Sequence, residues 1–337
     1  MKCIFLARMS RPAKFLVIRF SSIGDIVLTT PVLRAIQEQM EGDSEIHFLT
    51  KKAYAPLVES NPRVSKVYSI EKATAEVMDE LNEEQYDYVI DLHRNIRSRM
   101  VKRSLKMIDF TFKKYNKEKW LLVNFGVNKM PDKHIVDRYL DTLNAFKVKA
   151  DDKGLEFYIP PGEEINIQEV FPDLQGAFHA IAIGAAHIGK RMEEDFIAQL
   201  CEGSELPVII IGGPSDVEIG QSLEGQFPGK VFNAAGKLSV NGSASVIAQA
   251  TKVVAGDTGM MHIAAAMNRP IISVWGCTTP DFGMYPYKPA AGSVIIEPEG
   301  LNKRPCSKLG DRCKYGKEER CITRIDPARI ISHLTRQ

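Results

Sequence analysis

The sequence predicts an α/β fold built from two doubly wound parallel domains. Apolar, strand-like runs such as Lys14–Phe20 and Pro207–Gly213 alternate with helix-like segments, and the alternation stops at Pro160-Pro161-Gly162 before starting again. Strands that are apolar throughout indicate sheets covered on both faces. Ligands of such folds bind beyond the carboxyl ends of strands, so we expect the site in a central cleft between two facing domains.

The first predicted domain spans residues 1–162. Its first helix runs to about Met40, with Ile26, Leu33 and Ile36 on one side and Pro31 as an interior irregularity. Further strands are predicted at Glu45–Leu49, Val64–Ile70 and Tyr86–Leu92, and further helices at Glu71–Asn82 and Ile135–Phe146.

The second predicted domain spans residues 163–337. Its strands are predicted at Ala180–Ala186, Pro207–Gly213, Lys252–Gly256 and Pro270–Gly276, and its helices at Glu193–Cys201, Val217–Phe227, Ala244–Ala250 and His262–Met267. The last helix, Asp326–Gln337, has Pro327 in its first turn. The sequence leaves open whether this helix packs back on the first domain.

The net charge conceals an uneven distribution. With 44 Lys and Arg against 42 Asp and Glu, the total of +2 argues against a general polyanion binder. Residues 93–138, however, hold 13 basic and 4 acidic residues, with aromatic residues between them. This segment is either a solvated basic face or a surface for an anionic acceptor near an anionic membrane leaflet. Basic and aromatic residues also bind nucleic acid, but the loops described below do not favour it.

Targeting signals and the number of cysteines indicate the cellular compartment of the protein. No stretch approaches the roughly 20 apolar residues that span a bilayer, and the run Cys3–Ala7 is too short for the core of a signal peptide. We interpret Met1 to Pro12 as a leader, with Met9 as a possible alternative start. Six cysteines in 337 residues do not make a disulfide scaffold, which indicates the reducing cytosol.

The strongest functional signal is the segment Ala255–Ala266. A strand ends at Gly256. Asp257 and Thr258 after it are good helix N-caps, and Gly259 lets the backbone approach a ligand. The amides at the start of the following helix suit a phosphate, and His262 near its first turn can donate to the same anion. A capped helix with a core histidine is the alternative.

A second loop, Phe20–Asp25, links the first strand to its helix. It matches neither GxGxxG nor a Walker loop, so it does not support a dinucleotide or P-loop site. Asp25 is either a carboxylate that complements the helix dipole or a general base. The spacing alone does not decide between these roles.

Two further loops follow strands of the second half. In Gly184–Arg191, His187 and Lys190 could stabilise a phosphate, or the basic pair could simply be solvated. In the loop that starts at Gly212, Asp216 and Glu218 could bind ribose hydroxyls or cap a helix.

Together these loops resemble the ADP-heptose:lipopolysaccharide heptosyltransferases of glycosyltransferase family 9. The resemblance runs from about Lys14 to the last helix and rests on IRFSSIGDIVLTTPVLRAI, YDYVIDLHRNIRSRM, HIVDRYLDTL, VIIIGGPSDVE and VVAGDTGMMHIAAAMNRPIISVWG. It implies a GT-B fold of two Rossmann-like domains, with the acceptor on the first and the nucleotide sugar on the second. It also implies an inverting, metal-independent transfer with no cofactor beyond a nucleotide-sugar co-substrate, ADP-heptose.

The resemblance also implies roles for residues. Asp25 is the catalytic base. The donor-binding positions are Lys190 and His187, Asp216 or Glu218 at the ribose (with a slight preference for Glu218), Asp257 at the sugar, Thr258, Gly259 and Met260 at the phosphates, and His262. The acceptor-binding positions are Ser22, Gly24, His93, Arg94, Arg97 and Arg99, of which Arg97 and Arg99 are the leading candidates because arginine grips carboxylates and phosphates bidentately.

Partners and location follow from the same resemblance. The implied acceptor is an anionic glycolipid resembling lipid A–Kdo. The implied location is the cytoplasm, peripheral at the inner membrane of a Gram-negative-type bacterium, without nucleic acid. The absence of a DxD motif agrees with a metal-independent reaction, so no catalytic metal ligand is assigned.

Two departures from relatives affect the site. Ala185 and Ala186 stand where relatives often carry hydroxyl residues, so some phosphate contacts are missing or shift to His187. Near the C-terminus, three cysteines remain and Leu309 interrupts a CxxC pair; the three are Cys306, Cys313 and Cys321. With a further ligand they could bind zinc, but the broken motif favours unpaired structural thiols.

Alternative functions stay within or near this class. One is a GT-B glycosyltransferase with another sugar nucleotide or polysaccharide acceptor. A sugar-nucleotide epimerase would need no basic acceptor surface, and a silent sugar-nucleotide binding protein would not need Asp25.

Overall fold

The computed structural model describes residues 11–316 and 320–335 and divides the chain into two compact units. The first unit comprises the described residues up to Lys114 together with Ile135–Tyr158, and the second comprises Tyr115–His134 and the described residues from Ile159 onward. The expected leader lies almost entirely outside the described residues, as does Met9.

The first unit contains a five-stranded parallel sheet. Its strands have the order β3-β2-β1-β4-β5. Its strands and helices are β1 (Ala13–Ile18), α1 (Ile23–Val27), α2 (Thr30–Gln39), β2 (Ser44–Lys51), β3 (Lys66–Ile70), α3 (Met78–Glu83), β4 (Tyr88–Asp91), α4 (Ile96–Leu105), β5 (Ile108–Thr111) and, after the segment belonging to the second unit, α6 (Ile135–Leu140). In the sheet, β2 and β3 lie on one side of β1, and β4 and β5 lie on its other side. The topological switch point, where the strand order reverses, therefore lies between β1 and β4.

The helix expected to run unbroken to about Met40 is two helices. Helix α1 ends at Val27 and α2 begins at Thr30. Pro31 lies in the first turn of α2 and not in a helix interior, where its missing N–H would cost a hydrogen bond. The break orients α1 separately, and α1 carries Asp25.

The second unit contains a six-stranded parallel sheet of order β11-β10-β9-β6-β7-β8. Its strands and helices are α5 (Asn116–Phe125), α7 (Ile167–Val170), β6 (His179–Ala182), α8 (Glu194–Gly203), β7 (Val208–Ile211), α9 (Val217–Gln226), β8 (Val231–Asn233), α10 (Val240–Gln249), β9 (Val253–Gly256), α11 (Gly259–Ala266), β10 (Ile271–Val274), β11 (Val294–Ile296) and α12 (Pro327–Thr335). Its switch point lies between β6 and β9.

The division between the units differs from the expected boundary at residue 162 in two respects. The chain passes to the second unit at Ile159, and the earlier segment Tyr115–His134 also belongs to that unit. The reason for the second difference is apolar packing, since Leu122 and Val123 of α5 form a buried cluster with Phe282.

The C-terminal helix α12 belongs to the second unit. Ile330 and Leu334 are buried in that unit's core, where α12 packs against α8. The Lys252 Nζ donates to the carbonyl of His333 at 2.7 Å. Helix α12 therefore forms part of the core of the second unit.

Candidate active site

The predicted site residues cluster at the two topological switch points. In the first unit, Asp25 and His93 follow β1 and β4, which pair directly. In the second, Lys190 and Asp257 follow β6 and β9, which also pair directly. Each group is described within its own unit.

Asp25 is held by two neighbours in the first turn of α1. Its Oδ1 pairs with the Arg19 guanidinium at 2.7 Å, and its Oδ2 accepts a hydrogen bond from the Ser22 hydroxyl at 2.9 Å. About a fifth of the Asp25 side chain is exposed. The carboxylate is therefore oriented on one side by a cation and lies beside an exposed hydroxyl on the other.

Arg19 is a site residue that the sequence reasoning missed. Its guanidinium donates to the carbonyl of Ser21 at 2.7 Å, to the carbonyl of Leu92 at 2.6 Å and to the hydroxyl of Tyr139 at 2.8 Å. Burial opposes the charge of Arg19, but Asp25 and Tyr139 outweigh it and raise the arginine pKa. A charge placed immediately after the apolar run Phe15–Ile18 was the available signal.

A buried carboxylate shapes the loop after β4. Asp91 accepts hydrogen bonds from the backbone amides of His93 and Arg94 at 3.0 and 2.7 Å, and from the Ser98 hydroxyl at 2.8 Å. Burial, with Arg19 and Lys114 nearby, lowers the pKa of His93 to about 4. His93 is therefore neutral at pH 7, so it can accept or donate a hydrogen bond but brings no positive charge.

The remaining acceptor candidates differ in accessibility. Arg94 is exposed with a φ of 51°, and its carbonyl accepts from the Lys114 Nζ at 3.1 Å. Arg97 and Arg99 are exposed on α4. Ser22 is exposed beside Asp25, whereas Gly24 is buried within α1 and offers no side chain.

In the second unit, Lys190 and Asp257 form an ion pair. The Lys190 Nζ lies 2.7 Å from Asp257 Oδ2, which also accepts from the Thr278 hydroxyl at 2.9 Å. Thr278 was not expected from the sequence. It follows β10, the strand next to β9, so the shared carboxyl edge of the sheet brings it to Asp257.

Backbone segments meet closely behind this pair. A Cβ on Gly256 would lie 3.0 Å from the carbonyl oxygen of Lys190, and one on Gly189 would lie 2.7 Å from the Cys277 sulfur. A side chain at Gly189 would clash with Cys277 and with the carbonyl of Gly310, and one at Gly256 would require the backbone at Lys190 to shift by a few tenths of an ångström. This packing fixes the turn that carries Lys190.

Helix α11 begins at the same edge. Thr258 is its N-cap residue, and the Thr258 Oγ1 is buried without a hydrogen-bond partner. Gly259 and Met260 follow, half-buried, and His262 is buried in the next turn. The arrangement offers backbone amides and a hydroxyl where the helix dipole favours an anion.

The three other candidates for binding the donor sugar nucleotide differ in their burial and contacts. Asp216 is buried, and its Oδ2 accepts from the amide of Gly213 at 2.8 Å, so it already stabilises its own turn. Glu218 is exposed in the first turn of α9. His187 is half-buried just before Lys190.

The two parallel-sheet α/β units, together with the similarity in fold to solved heptosyltransferase structures, confirm the predicted fold class, a GT-B fold. The model of glycosyltransferase family 9 (heptosyltransferase) matches residues 74–314. The chain belongs to this family and is a glycosyltransferase.

Individual relatives agree with this assignment. The chain is 27% identical over 320 residues to lipooligosaccharide heptosyltransferase 2 of Haemophilus influenzae, covering 88% of this chain and 92% of the relative. It is similar in fold to a glycosyl transferase family 9 protein of Veillonella parvula, with a TM-score of 0.76, 21% identity and 95% of both chains covered. It is also similar to the ADP-heptose lps heptosyltransferase II of E. coli, with a TM-score of 0.73, 20% identity and 95% and 97% covered.

Proposed function

We propose that this protein transfers heptose from ADP-heptose to the inner core of lipopolysaccharide, with inversion at the anomeric carbon and without a catalytic metal. The observation that carries the proposal is a pair of oriented, charged groups at the two switch points: Asp25 on Arg19 in the first unit, and Lys190 on Asp257 in the second. The Haemophilus influenzae and E. coli relatives are named for heptose transfer, and the latter for ADP-heptose.

Asp25 acts as the general base. An acceptor hydroxyl can take the place of the exposed Ser22 hydroxyl at Oδ2, 2.9 Å away in the structure. As the acceptor oxygen bonds to the anomeric carbon, its proton passes to Asp25, and the bond from that carbon to the diphosphate breaks on the opposite face. This single displacement inverts the configuration through an oxocarbenium-like transition state.

The second unit stabilises the leaving diphosphate. Negative charge develops on the phosphate oxygen as the glycosidic bond breaks. The Lys190 ammonium and the amides after Thr258 supply fixed positive charge to it, the part that a metal ion plays in other transferases. Exposed Glu218 is the group proposed for the ribose hydroxyls, since Asp216 is engaged by Gly213.

The acceptor is an anionic glycolipid at a membrane surface. Helix α4 exposes Arg97 and Arg99 and, on either side of them in the sequence, the apolar Ile96 and Met100, which are 76% and 57% exposed. Basic and apolar side chains on one exposed helix suit a surface of anionic lipid. No helix among the described residues has the length and apolar character to cross a bilayer, so we propose peripheral attachment at the cytoplasmic leaflet.

The deciding experiment has two stages. Thermal-shift measurements compare ADP-, UDP- and GDP-sugars, and the proposal expects ADP-heptose to stabilise the protein most. Transfer is then assayed on lipid A–Kdo acceptors, with NMR of the product reporting the anomeric configuration and EDTA testing metal dependence. Preferential stabilisation by UDP-sugars would overturn the heptosyl assignment, and epimerisation of the donor without an acceptor would indicate an epimerase.

A further inference from the structure

Four cysteines converge in the second unit, although they are far apart in the sequence. Cys306, Cys313 and Cys321 come from the C-terminal segment, and Cys277 follows β10. All four sulfur atoms lie within 4.8 Å of one another. Cys277 is the ligand that the interrupted CxxC motif concealed, because nothing in the local sequence links it to the other three.

The sulfur geometry matches a tetrahedral metal site. The distances are 3.3 Å between the sulfurs of Cys306 and Cys321, 3.6 Å between those of Cys313 and Cys321, and 4.0 Å between those of Cys306 and Cys313. A zinc–sulfur bond of about 2.3 Å in a tetrahedron separates its sulfurs by roughly 3.8 Å. All four cysteines are free thiols, and only Cys313 is partly exposed.

The surroundings can balance the charge of four thiolates. Arg304 donates to the carbonyl oxygens of Gly276 and Thr278, on either side of Cys277, both at 2.7 Å. The Lys314 Nζ donates to the carbonyl of Pro305, next to Cys306, at 3.1 Å. Two cations are thus fixed beside the cysteines, although Arg304 shares its charge with the Glu297 carboxylate, 2.8 Å away.

The segment that supplies Cys306 and Cys313 has little regular structure. Its described residues 297–316 contain no helix or strand, and the third cysteine, Cys321, begins the short 3-10 helix Cys321–Arg324. Irregular segments of this length are uncommon in compact domains unless something fixes them. A metal ion that joins this segment to the end of β10 would provide that constraint.

We propose that Cys277, Cys306, Cys313 and Cys321 bind one tetrahedrally coordinated divalent metal ion, zinc or ferrous iron, as a structural site. Each thiol loses its proton to solvent as its sulfur bonds to the metal. A further consequence rests on the proposed function: the site supports the donor-binding turn. The amide of Gly189 donates to the carbonyl of Gly310 at 2.8 Å, and the amide of Cys277 donates to the carbonyl of Gly189 at 3.0 Å, next to Lys190.

Metal content tests the site without reference to activity. The full chain is expressed in media supplemented with zinc or with iron, and bound metal is measured by mass spectrometry after gel filtration. We expect about one ion per chain in the wild type and less than about a tenth of that in Cys313→Ala, since a structural site needs its full ligand set. Cys201→Ala is the matched control, because Cys201 is a buried free thiol outside the cluster.

Two further measurements keep the test decisive if the alanine variant folds poorly. Cys313→His, which retains a metal ligand, should keep the ion. In the wild type, a chelator should release the metal and simultaneously make the cluster thiols reactive. Wild-type protein without either metal, or with a disulfide among these cysteines, would overturn the proposal. Zinc and iron loading distinguish the two ions, and a loss of donor affinity on chelation tests the support of Lys190 separately.

Discussion

The two switch points use similar ion pairs in opposite ways. In the first unit the cation is fixed, since Arg19 donates to two carbonyls and to Tyr139 while its partner Asp25 lies next to an exposed hydroxyl. In the second unit the anion is fixed, since Asp257 is also bonded to Thr278, and its partner Lys190 presents a single ammonium group. The difference matches the chemistry proposed for each unit. In the first unit the carboxylate of Asp25 must be available to take a proton. In the second unit the leaving diphosphate needs a positive charge, which Lys190 supplies.

The largest effect on the proposed reaction is expected at Asp25. The Asp25→Asn variant keeps the shape of the side chain but cannot accept the proton, so kcat should fall by about 10²–10⁴-fold. ADP binding, measured by calorimetry, should stay within error of the wild type because the donor groups lie in the other unit. The exposed Asp79→Asn on α3 serves as the matched control. Near-normal turnover of Asp25→Asn would rule out the base assignment.

The next largest effect separates the two cations. Lys190→Gln should lower kcat/KM by about 10²–10³-fold through lost stabilisation of the leaving group, with little change in melting temperature. Arg19→Gln should instead lower the free energy of unfolding by about 3–5 kcal/mol, since it leaves buried groups unpaired. Paired kinetic and thermal-unfolding measurements check both. If Lys190→Gln destabilised the protein as much as Arg19→Gln, the two pairs would have the same structural role.

The sequence could propose site residues in the segments that link a strand to the next helix. The alternation of strands and helices was sufficient for the fold class, and Asp25, Lys190 and Asp257 were proposed because each lies in such a segment; their roles stay predictions. Arg19 was missed although it follows β1 directly. The break between α1 and α2 was missed because Pro31 fits equally well in an irregular helix or in the first turn of a new one.

The missed residues depend on contacts between distant segments. Thr278 reaches Asp257 across neighbouring strands, and Tyr139 reaches Arg19 from α6, 120 residues away. Cys277 joins the other cysteines only through the packing of β10 against the irregular C-terminal segment. Local pattern carries no signal for such contacts, and a single sequence offers no other. Strand β5 and helix α4 were missed because α4 and its surroundings are dense in basic residues that obscure the apolar period.

A smaller effect distinguishes the two acidic residues after β7. Glu218→Gln should weaken ADP binding by about tenfold, the effect of one charged hydrogen bond, without changing the melting temperature. Asp216→Asn should lower the melting temperature, because it weakens the bond from the amide of Gly213. Calorimetry with ADP and thermal unfolding separate the two outcomes. Glu205→Gln, an exposed change before β7 at the opposite edge of the sheet, is the control.

We also expect the Asp216→Asn variant to bind ADP more tightly than the Glu218→Gln variant does. The reverse order would assign the ribose to Asp216.

The smallest predicted effect concerns His93, whose pKa is about 4 in the folded protein against an ordinary 6.5. Between these values the unfolded chain binds a proton that the folded chain excludes, so stability should fall as the pH drops from 6.5 to 4 and change no further from this source below 4. His93→Gln should remove this dependence, on the order of 1 kcal/mol after allowance for partial exposure. Thermal unfolding of both proteins across this range checks it. His179→Gln offers the parallel test in the second unit, since burial and Lys252 lower the pKa of His179 to about 4 as well. Equal pH slopes for wild type and His93→Gln would mean that folding does not lower the pKa of His93, which would contradict the burial beside Arg19 as its cause.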